Sequence, residues 1–239
     1  MKKAICIILL IALAGIIIYS ANQILIIQAD YKAEELIHEQ LLGYKPPESR
    51  AIAAEEKIVN QSVIDLQSKY SDAVGWLNIP NTKIDYPFIQ SGDNDYYLGR
   101  DINGKRAVCG SIFMDFRCSK SFSSQNTILY GHHMKNGSMF GTIKLFENKE
   151  FFKSNIVGTI YLPNDTLTLE IFAYMVVHPG RDTEIFSDTF SEDYFTLIKE
   201  KARNYRELNL STDDRIVTLS TCAYEFENAR MILLARIKK

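Results

Sequence analysis

The run from Ala4 to Ile27 leaves the start of this chain little structural choice. It follows Lys2 and Lys3 and is apolar except for a short break at Ser20–Gln23. Inside a bilayer no water satisfies the backbone amides, so a single segment can lie there only as a helix, and about 20 residues suffice to cross. The positive-inside rule then places Lys2 and Lys3 in the cytoplasm and everything after Asp30 outside. A cleaved signal peptide is the competing reading, because Ala12-Leu13-Ala14 imitates a cleavage site. Ile16, Ile17 and Ile18 follow that site at once, a strange start for a mature secreted chain. We therefore expect residues 1–28 to be an uncleaved anchor. The protein would cross the cell membrane once, with the rest extracellular.

Beyond the anchor the pattern changes twice. Residues 29–70 read as a helical linker. In Ala29 to about Leu42, Ala33, Leu36, Ile37 and Leu41 fall near one helix face; Gly43–Ser49 breaks it; and a second stretch, roughly Ile52 to Lys69, carries Ile58, Val63 and Leu66. Residues 71–239 read as one β-rich domain. Strands are expected near Trp76–Ile79, Ile84–Ile89, Ala107–Met114, Thr127–Tyr130, Ile156–Leu162, Leu167–Val177, Ile216–Thr221 and Met231–Ile237. Eight such runs with few helices predict a mainly β fold closed into a barrel, since closure removes exposed sheet edges. One helix is expected among the late strands, from about Ser191 to Glu207. Phe195, Ile198, Ala202 and Tyr205 repeat there at three and four positions, behind Ser191 as N-cap. Further helical turns are expected around Met139 to Lys153.

With 27 basic and 29 acidic residues the net charge is −2, which gives no support for a nucleic-acid or anionic-membrane surface. The 239 residues leave room, beside the anchor, for one domain with a real core. Cysteines occur at 6, 109, 118 and 222. Cys109 and Cys118 are near enough in sequence for a disulfide outside the membrane, although two unpaired small core residues is the reading we prefer. No Cys/His spacing reads as a zinc site.

The chemistry concentrates in Ile216 to Cys222. Val217 and Leu219 alternate with Thr218, Ser220 and Cys222, so one strand face is polar and ends in a thiol. Such a face is a poor core surface and a good cleft floor. The thiolate is the nucleophilic form of cysteine, and a neighbouring cation favours it. Arg230 lies eight positions on, and His132 stands ninety positions upstream in Leu129-Tyr130-Gly131-His132-His133. A Cys, a distant His and an Arg together supply the parts of a covalent acyl-transfer site.

These residues resemble the sortase family of Gram-positive cysteine transpeptidases, which carries a T-L-x-T-C strand, an arginine on the next strand and a Gly-His after an earlier one. Ser91-Gly92-Asp93-Asn94-Asp95-Tyr96-Tyr97-Leu98, Gly110-Ser111-Ile112-Phe113-Met114-Asp115 and the run NTILYGHHM from Asn126 to Met134 are similar to the class B branch. The likeness spans about Ser71 to Lys239. It implies an eight-stranded barrel with N-terminal helices and one helix inserted between late strands. Cys222 is the implied nucleophile, His132 (directly after the glycine) the acid and base, and Arg230 the cation that holds the oxyanion. His133 is then a support or surface residue, and Arg236 a peripheral one. Asn94 and Leu98 match positions bordering the sorting-signal groove, and Ser220 and Thr221 flank the nucleophile. Tyr174, Ile185 and Tyr224 are further candidates for the groove.

The resemblance also implies partners. An exported protein would present a Thr-containing C-terminal sorting signal, and a peptidoglycan precursor or stem peptide would present the accepting amine. No cofactor or metal is expected. Pilin polymerisation is the nearer alternative, although no D-P-aromatic lid motif precedes the strands. An L,D-transpeptidase would have its His just before its Cys, and a papain-like enzyme would have its Cys early, on a helix. A non-enzymatic binding module would leave the Cys, His and Arg without a purpose.

Overall fold

The structure, a computed structural model, describes residues 2–47, 58–223 and 225–238. It divides into two compact units, 1–40 and 41–239. The first is helix α1, Lys2–Leu42, which continues into the second unit's first residues. No break interrupts it at Ser20–Gln23, because three polar residues and an alanine cannot outweigh the helical hydrogen bonding of the apolar turns on both sides. Its apolar side chains from Ile5 to Ile27 are exposed, and it is long and apolar enough to cross a bilayer.

The second unit is built on strands β1 (Ala73–Asn78), β2 (Asp85–Ile89), β3 (Phe113–Met114), β4 (Asn126–Tyr130), β5 (Val157–Leu162), β6 (Asp165–Val177), β7 (Asn204–Tyr205), β8 (Ile216–Cys222) and β9 (Arg230–Ile237). They pair in the order β5-β1-β2-β3-β4-β8-β9-β6, and β5 also pairs with β6, so eight strands close a mixed barrel. The ninth, β7, adds to β6 outside the ring. Closure satisfies the ladder that an open sheet would leave at its edges. Trp76, Phe88, Leu77, Ile160, Leu169 and Leu219 are among the buried core residues. Each apolar side chain of this kind contributes about 1.5–3 kcal/mol by leaving water.

Two pairings bring the chemistry-bearing strand ends together. Strand β4 runs parallel to β8, with Tyr130 opposite Ser220, while β9 runs antiparallel to β8, with Arg230 opposite Cys222. The ends of β4 and β8 and the start of β9 therefore meet at one rim of the barrel.

Several sequence expectations need correction. The strand expected over Ala107–Met114 shrinks to Phe113–Met114. Gly110 adopts a φ of +56°, and the backbone before it turns to bond a 3₁₀ turn at Tyr96–Gly99, with Ala107 N–H donating to Gly99 O and Ser111 N–H to Tyr97 O. The late helix, α4, covers only Tyr194–Lys201. Asp193, not Ser191, occupies its N-cap position, and Asn204–Tyr205 leave the helical course to pair with β6, a tertiary ladder overriding local propensity. The earlier helical stretch is α2, Gln61–Lys69; residues 58–60 are not helical, and the part of that expectation over 48–57 lies outside the described residues. Turns expected near Met139–Lys153 resolve into a 3₁₀ segment, Gly141–Glu147, and helix α3, Lys149–Ser154, whose N-cap Asn148 accepts from Glu150 N–H and Phe151 N–H. Cys109 and Cys118 are buried and are not joined to each other by a disulfide.

Candidate active site

At the shared rim, the Arg230 guanidinium donates to the Cys222 sulfur at 2.8 Å. Cross-strand partners have side chains on the same face, so pairing alone carries the cation to the thiol. The β4 ladder continues one step further, with Gly131 N–H donating to Ser220 O, and this brings the next residue, His132, alongside Cys222. A side chain at Gly131 would place its Cβ 2.9 Å from the Phe140 ring, so only glycine lets the chain leave β4 on this path. Cys222, His132 and Arg230 line one small pocket of about 220 Å³, together with Asn94, Leu98, Ser220 and Thr221. The residues that the resemblance assigned to catalysis, to the groove border and to the flanks of the nucleophile therefore reach a single cleft.

His132 is held by something the sequence did not reveal. Its Nε2 lies 2.6 Å from the backbone carbonyl of Leu98. A carbonyl only accepts, so Nε2 carries the ring proton in this arrangement and Nδ1 is the second nitrogen. A Cβ at Gly110 would stand 2.5 Å from that same carbonyl oxygen, so Gly110 is required by close approach as well as by its positive φ. Leu98 thus serves through its main chain, and its side chain is exposed beside the pocket.

His133 turns away from this pocket. Its Nδ1 donates to the Cys222 carbonyl at 3.1 Å and so ties down the peptide group of Cys222. Burial depresses its pKa, the Cys222 bond opposes that shift, and the Lys144 charge reinforces it. The neutral ring is favoured.

Behind Asn94 sits Asp115, fully buried and missed as a functional candidate. Arg117 grips its carboxylate through Nε at 2.9 Å and Nη2 at 2.7 Å. Asn94 Nδ2 and the Tyr130 hydroxyl each donate to Oδ2 at 3.0 Å, and Asn94 Oδ1 accepts from Phe116 N–H at 3.1 Å. Burial pushes the Asp115 carboxyl up, but the Arg117 and Tyr130 bonds bring it below the ordinary carboxylate range. One carboxylate thereby orients two residues of the pocket wall. The available signal was a lone acid closing the apolar run Ile112-Phe113-Met114.

The polar face of β8 is not a cleft floor along its length. Thr218 is sealed, its hydroxyl donating to Asn126 Oδ1 at 2.7 Å, and Ile216 packs with Tyr194 and Ile198 of α4. Only Ser220, Thr221 and Cys222 reach the pocket. The Ser220 and Thr221 hydroxyls are buried with no hydrogen-bond partner among the described residues. Tyr174 and Ile185 are fully buried and do not line the pocket, so their assignment to the groove is corrected; Tyr224 lies outside the described residues. Arg236 is engaged by Glu170 and by the Leu208 carbonyl.

The sequence profile of the Sortase domain matches residues 77–238. Sortase B of Listeria monocytogenes is 38% identical over 184 residues, covering 75% of each chain. The crystal structure of sortase B from Bacillus anthracis in complex with AAEK1 superposes with a TM-score of 0.75 at 34% identity, covering 88% of this chain and 99% of that one. A Streptococcus pyogenes class B sortase involved in pilus biogenesis gives a TM-score of 0.68 at 30% identity, covering 73% and 97%.

Proposed function

The chain belongs to the sortase family, in its class B branch, and from that premise we propose how this cysteine transpeptidase divides its chemistry among residues. The thiolate of Cys222 attacks the threonine carbonyl of a C-terminal sorting signal on an exported protein. A carbon–sulfur bond forms, and Arg230 stabilises the oxyanion of the tetrahedral intermediate. Protonated His132 gives its proton to the leaving amine as the peptide bond breaks, which leaves a thioacyl enzyme. An amine of a peptidoglycan precursor or stem peptide then attacks the thioester. The new amide forms, the thiolate leaves, and His132 takes up the amine's proton. Asn94, Leu98, Ser220 and Thr221 bind the sorting signal, with the two hydroxyls supplying hydrogen bonds to its backbone.

The observation that carries this reading is the 2.8 Å approach of Arg230 to Cys222 in the pocket that also holds His132. Helix α1 would keep the site at the outer membrane face, where exported client and cell-wall precursor both pass. Pilin polymerisation is the second reading, favoured by the role named for the Streptococcus pyogenes relative. It differs in the acceptor, a lysine of another pilin subunit. The test is mass spectrometry of a Thr-containing sorting peptide incubated with enzyme and a stem-peptide amine. Ligated product is expected, with slow hydrolysis when the amine is omitted. Hydrolysis alone across a range of cell-wall and pilin-lysine amines would make the protein a protease.

A further inference from the structure

A transpeptidase must bring two substrates to one thioester, and a pocket of about 220 Å³ has little room for both. A second, larger groove of about 1050 Å³ starts at His133 and runs between the segment after β4 and the Gly141–Ser154 helical turns. Its near end touches the nucleophile's own peptide, because His133 in its wall donates to the Cys222 carbonyl.

Charge distinguishes this groove from a bland surface furrow. Its acids are already engaged: Glu147 accepts from Arg203 at 2.8 Å, and Glu150 pairs with Lys153 at 3.1 Å. Its cations are not. Lys135 and Lys144 line the groove, and neither is ion-paired among the described residues. The Lys144 field reaches His133 and also Glu225. Leu145 and Phe151 supply an apolar floor. The groove also has a mechanical link to the site. Arg203 holds Glu147 in the groove wall and, with the same guanidinium, Glu225 in the loop that follows Cys222.

We propose that this groove is the acceptor subsite, and that it binds an anionic amino-peptide whose carboxylates meet Lys135 and Lys144 while its primary amine passes His133 toward Cys222. The proposal rests on the transpeptidase reading and adds to it where the second substrate lies and which charge recognises it. A peptidoglycan stem has this chemistry, with free carboxylates and one nucleophilic amine. A neutral or cationic amine would be a poorer acceptor for the same reason.

The probe is a fluorescein-labelled stem tripeptide, Ala-γGlu-Lys, with free carboxylates, compared with its fully amidated form. Binding is read by anisotropy on the full-length protein in detergent, and needs no turnover. The Lys135→Glu/Lys144→Glu variant should bind the free-carboxylate peptide roughly tenfold more weakly, and amidation should cost the wild type a similar factor but leave the variant indifferent. The rate of Cys222 alkylation by iodoacetamide should be unchanged in the variant. The gentler Lys135→Gln and Lys144→Gln proteins serve if charge reversal perturbs folding. Equal binding by wild type and variants, or indifference of the wild type to amidation, overturns the subsite. Charge-dependent binding together with no ligation by the wild type upholds the groove and instead overturns the transfer reading.

Discussion

Arg230 reaches the Cys222 sulfur at 2.8 Å because the two residues are direct register partners, one closing β8 and the other opening β9. The cation is therefore fixed by the backbone ladder rather than by a flexible loop. A one-residue slip of β9 would turn it to the opposite sheet face.

Arg230→Ala should lower turnover by about 10²–10³, the usual cost of losing one oxyanion donor. Arg236→Ala should leave the rate near wild type and reduce stability by about 1.5–3 kcal/mol, because its bonds go to Glu170 and Leu208 O and not to the pocket. Peptide-cleavage kinetics and urea titrations separate the two effects. Equal loss of activity in both variants would contradict the assignment.

Cys222→Ala should abolish both cleavage and transfer. Cys109→Ala and Cys118→Ala should retain the chemistry, since both thiols are buried away from the pocket and burial pushes the Cys118 thiol up to about 11. Intact-mass spectrometry after incubation with sorting peptide checks this, with an adduct expected on every protein except the Cys222 variant.

His132→Ala should cost orders of magnitude in turnover, whereas His133→Ala should cost less than about tenfold, a hydrogen bond of roughly 1 kcal/mol that positions the nucleophile's carbonyl. A folded, active His132→Ala beside a folded, dead His133→Ala would reverse the two roles.

Asp115 gives a pH signature. Its carboxyl sits below the ordinary range in the fold, so the stability it contributes is complete above the unfolded value of about 3.9 and is lost as pH falls through the folded value. Asp115→Asn should therefore melt below wild type at pH 7, and the gap should close as pH drops below about 4. Melting curves across that range would show a constant gap if the carboxylate were not responsible.

The full chain should sediment with membranes, and its catalytic unit should be cleaved by protease added outside wall-stripped cells. Protection of that unit would invert the orientation expected from Lys2 and Lys3. A mature form beginning at Gly15 would establish signal cleavage.

The convergence of Cys222, His132 and Arg230 was more legible than the elements that carry them. That they meet could be expected because each sits in a local motif, and the strand ladders convert local spacing into contact. The truncated strand before Phe113 was not legible, since Val108 and Cys109 look strand-like while the deciding event is Gly110 turning toward the Leu98 carbonyl. The late helix was overextended because its apolar spacing continues through Ala202 and Tyr205, whereas β6 captures Asn204 and Tyr205. Asp115 was overlooked for a similar reason: its side-chain donors come from residues 94, 117 and 130 and converge only in the folded barrel.

The parallel pairing of β4 with β8 joins segments ninety residues apart in sequence, Asn126 to Ile216 and Tyr130 to Ser220. Contacts of such range close late and slowly in a folding chain, because a long loop must be ordered before they form. Before that pairing forms, Cys222 has neither the His132 ring beside it nor the His133 bond on its carbonyl. The pocket around the thiol exists only once β4 and β8 have paired. The topology thus ties the assembly of the Cys222, His132 and Arg230 pocket to a pairing that only the folded barrel provides.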